Sequence, residues 1–358
     1  MTVRRWLGRA VGWSVIGLLL LVVVLLAGSR DARFVVRAAW EEMRILLARE
    51  DLAALVAAEG IPTAERAKFQ LVLDARAFAA DSLGLEAGRT FTQFSRLPRD
   101  TLVLVLSASP RDQLVAHTWW FPVVGRVPYR GYFDLADAEA AADRLADCAY
   151  DTYLRPAAAF STLGWFEDPL LSTSLRSDPV TLAELVIHEI THNTVWVRGA
   201  AEFNESLASY IGLRGAEAFF AARGDSVNAW RGAMRRRDEA RLGELHALLV
   251  RELEELYRAG LPLDTVLARR EVVFARARER YRSTPFEVYD GRRLAAGPLN
   301  NATIVAMRTY RTDTQVFADA LARFADLRAF VRALDDALAR RGKDDPFDVV
   351  RRLRPAYY

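Results

Sequence analysis

The chain has 358 residues, of which 52% are hydrophobic and 27% are charged, and this composition excludes the collagen-like, disordered and low-complexity classes. Its 49 Lys and Arg residues against 46 Asp and Glu residues leave a formal net charge of +3, which disfavours a nucleic-acid-binding function. The single cysteine, Cys148, excludes an internal disulfide and a cysteine-based zinc site, so any metal must be held by histidine and carboxylate side chains.

The N-terminus carries an uncharged apolar run over residues 10–29. Its length of about 20 residues matches the hydrocarbon core of a bilayer and predicts one N-terminal transmembrane helix. Cleavage as a signal peptide is the alternative, because residues 27–29 are small. Arg4, Arg5 and Arg9 favour a cytoplasmic N-terminus. We therefore expect the rest of the chain at the periplasmic face of the inner membrane, or in the periplasm if the segment is cleaved.

Two amphipathic helices are predicted next, the first over residues 34–58 and the second beginning near Pro62. The best strand signal is the apolar run of β-formers at residues 101–109. Aromatic residues broken by proline and glycine at residues 119–133 favour short strands joined by tight turns. A predicted helix at residues 136–145 follows this segment.

Residues 160–169 are again predicted to be extended, and an edge strand there could hold a peptide, with Trp165 either lining a pocket or packing in the core. Beyond residue 213 the apolar spacing is nearly all helical. The predicted helices there cover residues 227–257, 263–281, 301–310 and 314–338. Arg235, Arg236 and Arg237 are interpreted as a solvated helix face, because acidic residues follow on the same helix.

The most informative motif is His188-Glu-Ile-Thr-His192. On a helix, His188 and His192 lie one turn apart on the same face and can share one zinc ion. Glu189 is rotated from them by about 100° and can hold the water bound to that ion. The flanking residues are strongly apolar, which argues against two surface histidines, because a buried pair of imidazoles needs partners.

A catalytic zinc site needs a third protein ligand and an open position for water. The chain has 4 histidines, and none follows His192 until His246, which excludes a third histidine close to the motif. We expect Glu205 as the third ligand, brought back to the histidines by a turn of the chain, with Glu202 as the competing candidate. Glu189 would then be the general base that takes a proton from the zinc-bound water.

Three other residues support weaker hypotheses. His246 lies in a charged helical stretch and is interpreted as a surface histidine rather than as a stabiliser of the tetrahedral intermediate. Tyr310 is the better candidate for a hydrogen-bond donor to the oxyanion. Cys148 is interpreted as a buried hydrophobic residue.

Several segments between residues 118 and 211 together carry a resemblance to a known family. They are Trp-Phe-Pro-Val-Val-Gly, Val-Pro-Tyr-Arg-Gly-Tyr-Phe, Ser-Thr-Leu-Gly-Trp-Phe, the His-Glu-x-x-His motif and Phe-Asn-Glu-Ser. The stretch resembles the bacterial family of predicted zinc aminopeptidases, a gluzincin-type group usually exported to the periplasm. Weaker similarity extends from about residue 36 to the region of Tyr310. The chain departs from the family at Trp120 and Arg126, where many relatives carry a cysteine pair.

The resemblance implies a zincin-like, thermolysin-type metal site with one zinc ion per chain. His188, His192 and Glu205 would be the ligands and Glu189 the catalyst, in agreement with the residues taken by themselves. The sequence offers no acidic group that can be assigned to gripping the free amine of a substrate.

We therefore expect an α+β, mostly helical, zincin-like metallopeptidase with a small sheet, preceded by one transmembrane helix. The predicted segments are a signal anchor at residues 1–29, N-terminal helices at 30–100, the sheet with the metal-binding helix pair at 101–212, and a helical region at 213–358. Residues 30–358 are expected to form one compact unit. The expected activity is zinc-dependent hydrolysis of peptide bonds, as an aminopeptidase. The expected partners are a peptide or protein substrate and the membrane, and no nucleic acid.

Two alternatives from other classes stay open. A non-catalytic, membrane-tethered helical protein with a structural metal would keep the ligands but would not need Glu189. A membrane-tethered scaffold without a metal would require His188 and His192 to lie apart from each other. The sequence sets no oligomeric state.

Overall fold

The structure is a computed structural model that describes residue 28 and residues 30–97, 103–121, 125–157, 169–311 and 314–355. The chain divides into two units, Met1–Ala48 and Arg49–Tyr358. Nearly all of the predicted transmembrane segment lies outside the described residues. None of the helices in the described ranges combines the length and the apolar character needed to cross a membrane.

The described part of the first unit is helix α1 (Arg30–Leu47). Val36, Trp40, Met43 and Leu47 are all exposed, and their spacing places them along one side of the helix. The predicted helix over residues 34–58 was therefore too long, since α1 ends at Leu47.

The second unit begins with a short strand in place of the predicted helix. Its strands are β1 (Arg49–Asp51), β2 (Gln93–Ser95), β3 (Val103–Pro110), β4 (Trp119–Phe121), β5 (Gly125–Val127), β6 (Arg130–Tyr132), β7 (Tyr150–Ala157) and β8 (Leu170–Leu171). Its helices are α2 (Leu52–Ala57), α3 (Thr63–Asp81), α4 (Leu135–Asp147), α5 (Pro179–Thr194), α6 (Ala201–Ala222), α7 (Ser226–Tyr257), α8 (Leu263–Ser283), α9 (Gly291–Ala296), α10 (Asn301–Arg311), α11 (Thr314–Leu321), α12 (Leu327–Ala339) and α13 (Pro346–Arg352). The expected mostly helical α+β class with small sheets is confirmed.

The strands form small sheets that support the helices. In one sheet the order is β6-β3-β7, and β3 pairs antiparallel with β7 along its whole length, from Val103 opposite Ala157 to Pro110 opposite Tyr150. In a second sheet, β2 lies between β1 and β8. The aromatic segment predicted to form short strands contains the β4–β5 hairpin and then β6.

The main hydrophobic core lies between α3, α5, α6 and the C-terminal helices α11 to α13. Its largest fully buried side chains include Phe69, Phe203, Phe219, Phe317 and Phe330. Full burial of a phenylalanine side chain stabilises the fold by about 1.5–3 kcal/mol, so this core fixes α5 and α6 against the rest of the unit.

A buried polar network attaches the helical region to the β3–β7 pair. The Asp151 carboxylate on β7 accepts two hydrogen bonds from Arg270 on α8, at 2.9 and 2.8 Å, and one from the backbone N–H of Asn301, at 2.9 Å. The Asn301 side chain donates to the Pro110 carbonyl at 2.8 Å. Because a buried charge is stable only with partners, this network fixes where α10 begins on the sheet.

Three other expectations were wrong in their details. The predicted helix 314–338 is two helices, because Asp326 accepts a hydrogen bond from the Ala329 N–H at 2.8 Å and caps a new helix. His246 is buried, not a surface residue, since α7 packs against several neighbouring elements. Cys148 is exposed, because it lies at the C-terminal end of α4.

Glycines let α5 and α6 approach closely. A Cβ placed on Gly212 of α6 would lie 2.9 Å from the backbone carbonyl oxygen of Glu184 and 3.3 Å from the Cβ of His188. A Cβ on Gly215 would lie 2.9 Å from the Cγ2 of Ile187. These separations leave no room for a methyl group, so the glycines set the spacing of the two helices.

Replacing Gly212 by alanine is expected to lower the free energy of unfolding by about 1–2 kcal/mol. The added Cβ meets backbone that cannot move aside, and such overpacking costs ~1–3 kcal/mol, while alanine returns at most ~1 kcal/mol of helix propensity. Gly243→Ala is the matched control, since a Cβ there meets only the Thr314 hydroxyl at 3.8 Å. Urea denaturation followed by circular dichroism measures both variants, and equal stability of the two would contradict this account.

Candidate metal centre

Helix α5 presents the histidines because its other sides are buried. Asp178 caps its N-terminus by accepting hydrogen bonds from the N–H groups of Val180 and Thr181, and Pro179 occupies the first turn. Its apolar residues are buried; they are Val180, Leu182, Ala183, Val186, Ile187 and Ile190. His188 and His192 lie on the remaining face, where each side chain is 15% exposed to solvent.

The turn between α5 and α6 is held by Asn204. Its side-chain amide donates to the carbonyl of Val197 at 2.9 Å and accepts from the N–H of the same residue at 2.9 Å. Gly199 adopts a φ of +79°, which a residue with a side chain rarely takes. The Asn204 bonds fix the first turn of α6, and the next residue is Glu205. Sequence reasoning noticed the Asn-Glu pair but did not identify this positioning role.

His188, His192 and Glu205 lie together. The Nε2 atoms of the two histidines are 3.2 Å apart. The carboxylate oxygens of Glu205 lie 3.4 Å from His188 Nε2 and 3.6 Å from His192 Nε2. The 3.4 Å distance is to Oε2 of Glu205 and the 3.6 Å distance is to Oε1. Two ligand atoms bound to one tetrahedral metal ion at 2.0–2.1 Å would be about 3.3–3.4 Å apart, so the three side chains are close to the spacing of metal ligands. Among the described residues, these three side chains form the candidate metal-ligand group, with one donor atom from each within 4.8 Å of the others.

The electrostatics of the centre suit a cation. Burial, followed by the neighbouring His188, lowers the pKa of His192 to about 4. Burial raises the pKa of Glu205, but its hydrogen bond with His188 and the charges of both histidines outweigh this and lower it. His192 is therefore neutral and Glu205 ionised at neutral pH, which are the forms that bind a metal.

His188 is the ligand candidate that must lose a proton. Burial lowers its pKa, but the hydrogen bond with Glu205 and the charges of Glu189, Glu205 and Glu184 raise it above the ordinary value. A metal ion competes with that proton, so metal affinity should fall as the pH decreases. The second ring nitrogen of His192, Nδ1, is buried and has no hydrogen-bond partner within the described ranges.

Glu189 lies next to this group but not in it. It is partly buried on the neighbouring side of α5, and its charge acts on His188. Its carboxylate is therefore close to the centre without belonging to the set of donor atoms.

Glu202 does not join the centre. Its side chain is 49% exposed and its carboxylate lies 3.7 Å from the Nε of Arg308 on α10. Glu205, not Glu202, is the glutamate beside the histidines. The side chains of Tyr310 and Trp165 lie outside the described residues, so the hypotheses about them stay predictions.

A pair of charges next to the centre was missed by sequence reasoning. Glu184, one turn before His188, pairs with Arg235 of α7 at 2.8 Å. Burial raises the pKa of Glu184 to about 6, although the charge of Arg235 opposes the shift. The sequence signal was the run of arginines, whose interpretation as a solvated face was wrong for Arg235, because its side chain is only 21% exposed.

Two histidines and a carboxylate on a pair of adjacent helices thus define a candidate three-ligand metal centre. The family model described as "Putative aminopeptidase" matches residues 33–345, and the chain belongs to this family. Neither a curated protein nor a solved structure matches the chain.

Proposed function

We propose that this protein is a zinc-dependent metallopeptidase with a zincin-like site. The observation that carries the proposal is the spacing of 3.2, 3.4 and 3.6 Å among the donor atoms of His188, His192 and Glu205. Two nitrogen donors and one carboxylate are a zinc ligand set that leaves one position open for chemistry. Membership of the aminopeptidase family supports a peptide as the substrate.

The residues of the site would have two separate roles, metal binding and proton transfer. His188, His192 and Glu205 would hold the zinc ion, which when bound polarises a carbonyl group and makes water more acidic. Glu189 would accept a proton from the attacking water at its carboxylate. It would then pass the proton to the nitrogen of the leaving amine.

The apolar surroundings support this chemistry. Ile187, directly before the motif, and Ile190, inside it, are fully buried. The ring of Trp196 lies against His192, with the ring centroids 5.4 Å apart. A low-dielectric surrounding strengthens the interaction between a carboxylate and a cation.

For location, we propose that the protein is exported and faces the periplasm, attached to the inner membrane by its N-terminal segment or released by cleavage. The apolar run at residues 10–29 and the arginines before it support this proposal. A reporter fused after Tyr358 would be active only outside the cytoplasm if the proposed orientation is right.

Metal analysis and a peptide-library digest of the purified full-length protein test the function. We expect about one zinc ion per chain and release of residues from peptides, both abolished by a chelator and restored by added zinc. Sequencing the products shows whether residues leave from the amino end. A metal content near zero in carefully prepared protein would contradict the proposal.

A further inference from the structure

A cavity of about 800 Å³ is lined by residues of β7, α5, α6, α7, α10 and α11. Glu184 of α5 and Ser209 of α6 both line it. Glu184 precedes His188 by one helical turn, and Ser209 follows Glu205 by one turn. Since residues four apart on a helix are neighbours on one face, the cavity begins about one turn from the ligand candidates.

The acidic residues that line this cavity already have partners. Glu184 pairs with Arg235 at 2.8 Å. Glu239 accepts a hydrogen bond from the Tyr289 hydroxyl. Asp326 accepts one from a backbone N–H in the first turn of α12. Because each carboxylate is already paired, we do not assign any of them to binding the free amine of a substrate.

Arg155 on β7 differs from the other arginines of the cavity wall. Arg214 and Arg236 both pair with Glu217, at 3.3 and 2.8 Å. Arg155 is partly buried, and it makes no hydrogen bond or ion pair with any residue in the described part of the chain. A partly buried guanidinium loses part of its hydration, so a bound anion would stabilise Arg155 in this position.

Tyr129, between β5 and β6, interacts electrostatically with both Arg155 and Glu205. Partial burial is the largest cause that raises the pKa of Tyr129, and the charge of Glu205 raises it further while the charge of Arg155 lowers it. Tyr129 is therefore within electrostatic reach of both the metal-centre carboxylate and Arg155. The rest of the wall is largely apolar, with Leu213, Leu321 and Phe324 among its residues.

We infer that this cavity is the substrate subsite next to the metal centre and that Arg155 binds a carboxylate of the peptide. The inference rests on the proposed peptidase function. The carboxylate is either the C-terminus of a short peptide or an acidic side chain, and both are planar anions that a guanidinium binds with two hydrogen bonds. A volume of this size encloses a short peptide rather than a folded chain.

The test compares matched peptides that end in a free carboxylate or in an amide. Wild-type protein should favour the acid by about 10- to 100-fold in kcat/KM, mainly through KM, because a hydrogen-bonded charge pair contributes this much. Arg155→Gln should reduce the preference to less than about threefold, and Arg155→Lys should keep part of it, since the charge remains but the two-bond geometry is lost. A second pair of peptides with Glu or Gln inside the sequence identifies which carboxylate is bound.

Arg223→Gln is the matched control, because Arg223 pairs with Asp74 at the surface, away from the cavity wall. Calorimetric binding of the same peptides to the Glu189→Gln protein separates the two proposals, since it needs no hydrolysis. Binding that prefers the acid without any cleavage by the wild type would support the role of Arg155 and contradict the peptidase. Equal binding by the wild type within both pairs, acid against amide and Glu against Gln, would overturn the inference. Equal weakening of all these peptides by Arg155→Gln would overturn it as well.

Discussion

The Glu189→Gln variant is expected to cleave peptides about 10²- to 10⁴-fold more slowly than wild type while keeping its zinc, the usual loss for a general base. Glutamine has the size of glutamate but cannot take a proton from water. Glu189 lies outside the set of donor atoms formed by His188, His192 and Glu205, so its replacement leaves that set complete. Initial rates on one peptide, together with zinc content and melting temperature, check the expectation.

The control for this variant is Glu244→Gln, the same change at an exposed position of α7. It should leave rate, zinc content and melting temperature near wild-type values. If Glu189→Gln cleaves as fast as wild type, Glu189 is not the base. If wild-type protein binds zinc but cleaves nothing, the metal is structural and the helical scaffold is the better account.

The spacing of the motif was sufficient to place the two histidines together. A helix repeats every 3.6 residues, so His188 and His192 had to share a face once α5 formed, and the apolar residues around them predicted burial of the other faces. Nothing beyond local geometry was needed. The structure accordingly places their Nε2 atoms 3.2 Å apart.

The choice of the third ligand candidate depended on the conformation of the turn between α5 and α6. Glu202 and Glu205 are one turn apart on α6, and the sequence predicted Glu205 as the ligand with Glu202 as the competing candidate. The Asn204 bonds to Val197 and the glycine contacts of Gly212 decide which of them meets the histidines. The Asn204 bonds belong to the turn between the helices, and the Gly212 contacts belong to the packing of α6 on α5, so the periodicity of a single helix contains neither.

The errors have a similar origin. The charged stretch around His246 predicted exposure, but α7 is covered by several elements that are distant in sequence. No local sequence pattern indicates a role for Arg155, because this residue lines a cavity together with residues of α5 and α6 that are distant in the sequence. Periodicity identifies which residues are buried on one element, and only the packing of elements shows which polar groups meet.

The Glu205→Gln variant is expected to lose zinc affinity by on the order of 100-fold or more, together with activity. A charged ligand among three contributes a large share of the ~10–16 kcal/mol by which structural zinc sites bind. Its removal also leaves the buried histidines without their anionic partner, at 3.4 and 3.6 Å. Zinc titration of metal-free protein measures the affinity, and added zinc should restore part of the activity.

Glu202→Gln provides the matched comparison, because it makes the same change one turn away on the same helix. Glu202 contacts Arg308 at 3.7 Å and its side chain is 49% exposed, so we expect an exposed ion pair worth at most ~1 kcal/mol to be lost and zinc affinity to stay within about threefold of wild type. Zinc loss in Glu202→Gln but not in Glu205→Gln would exchange the roles of the two glutamates. Zinc retention in both would mean that His188 and His192 hold the ion with a ligand other than these carboxylates.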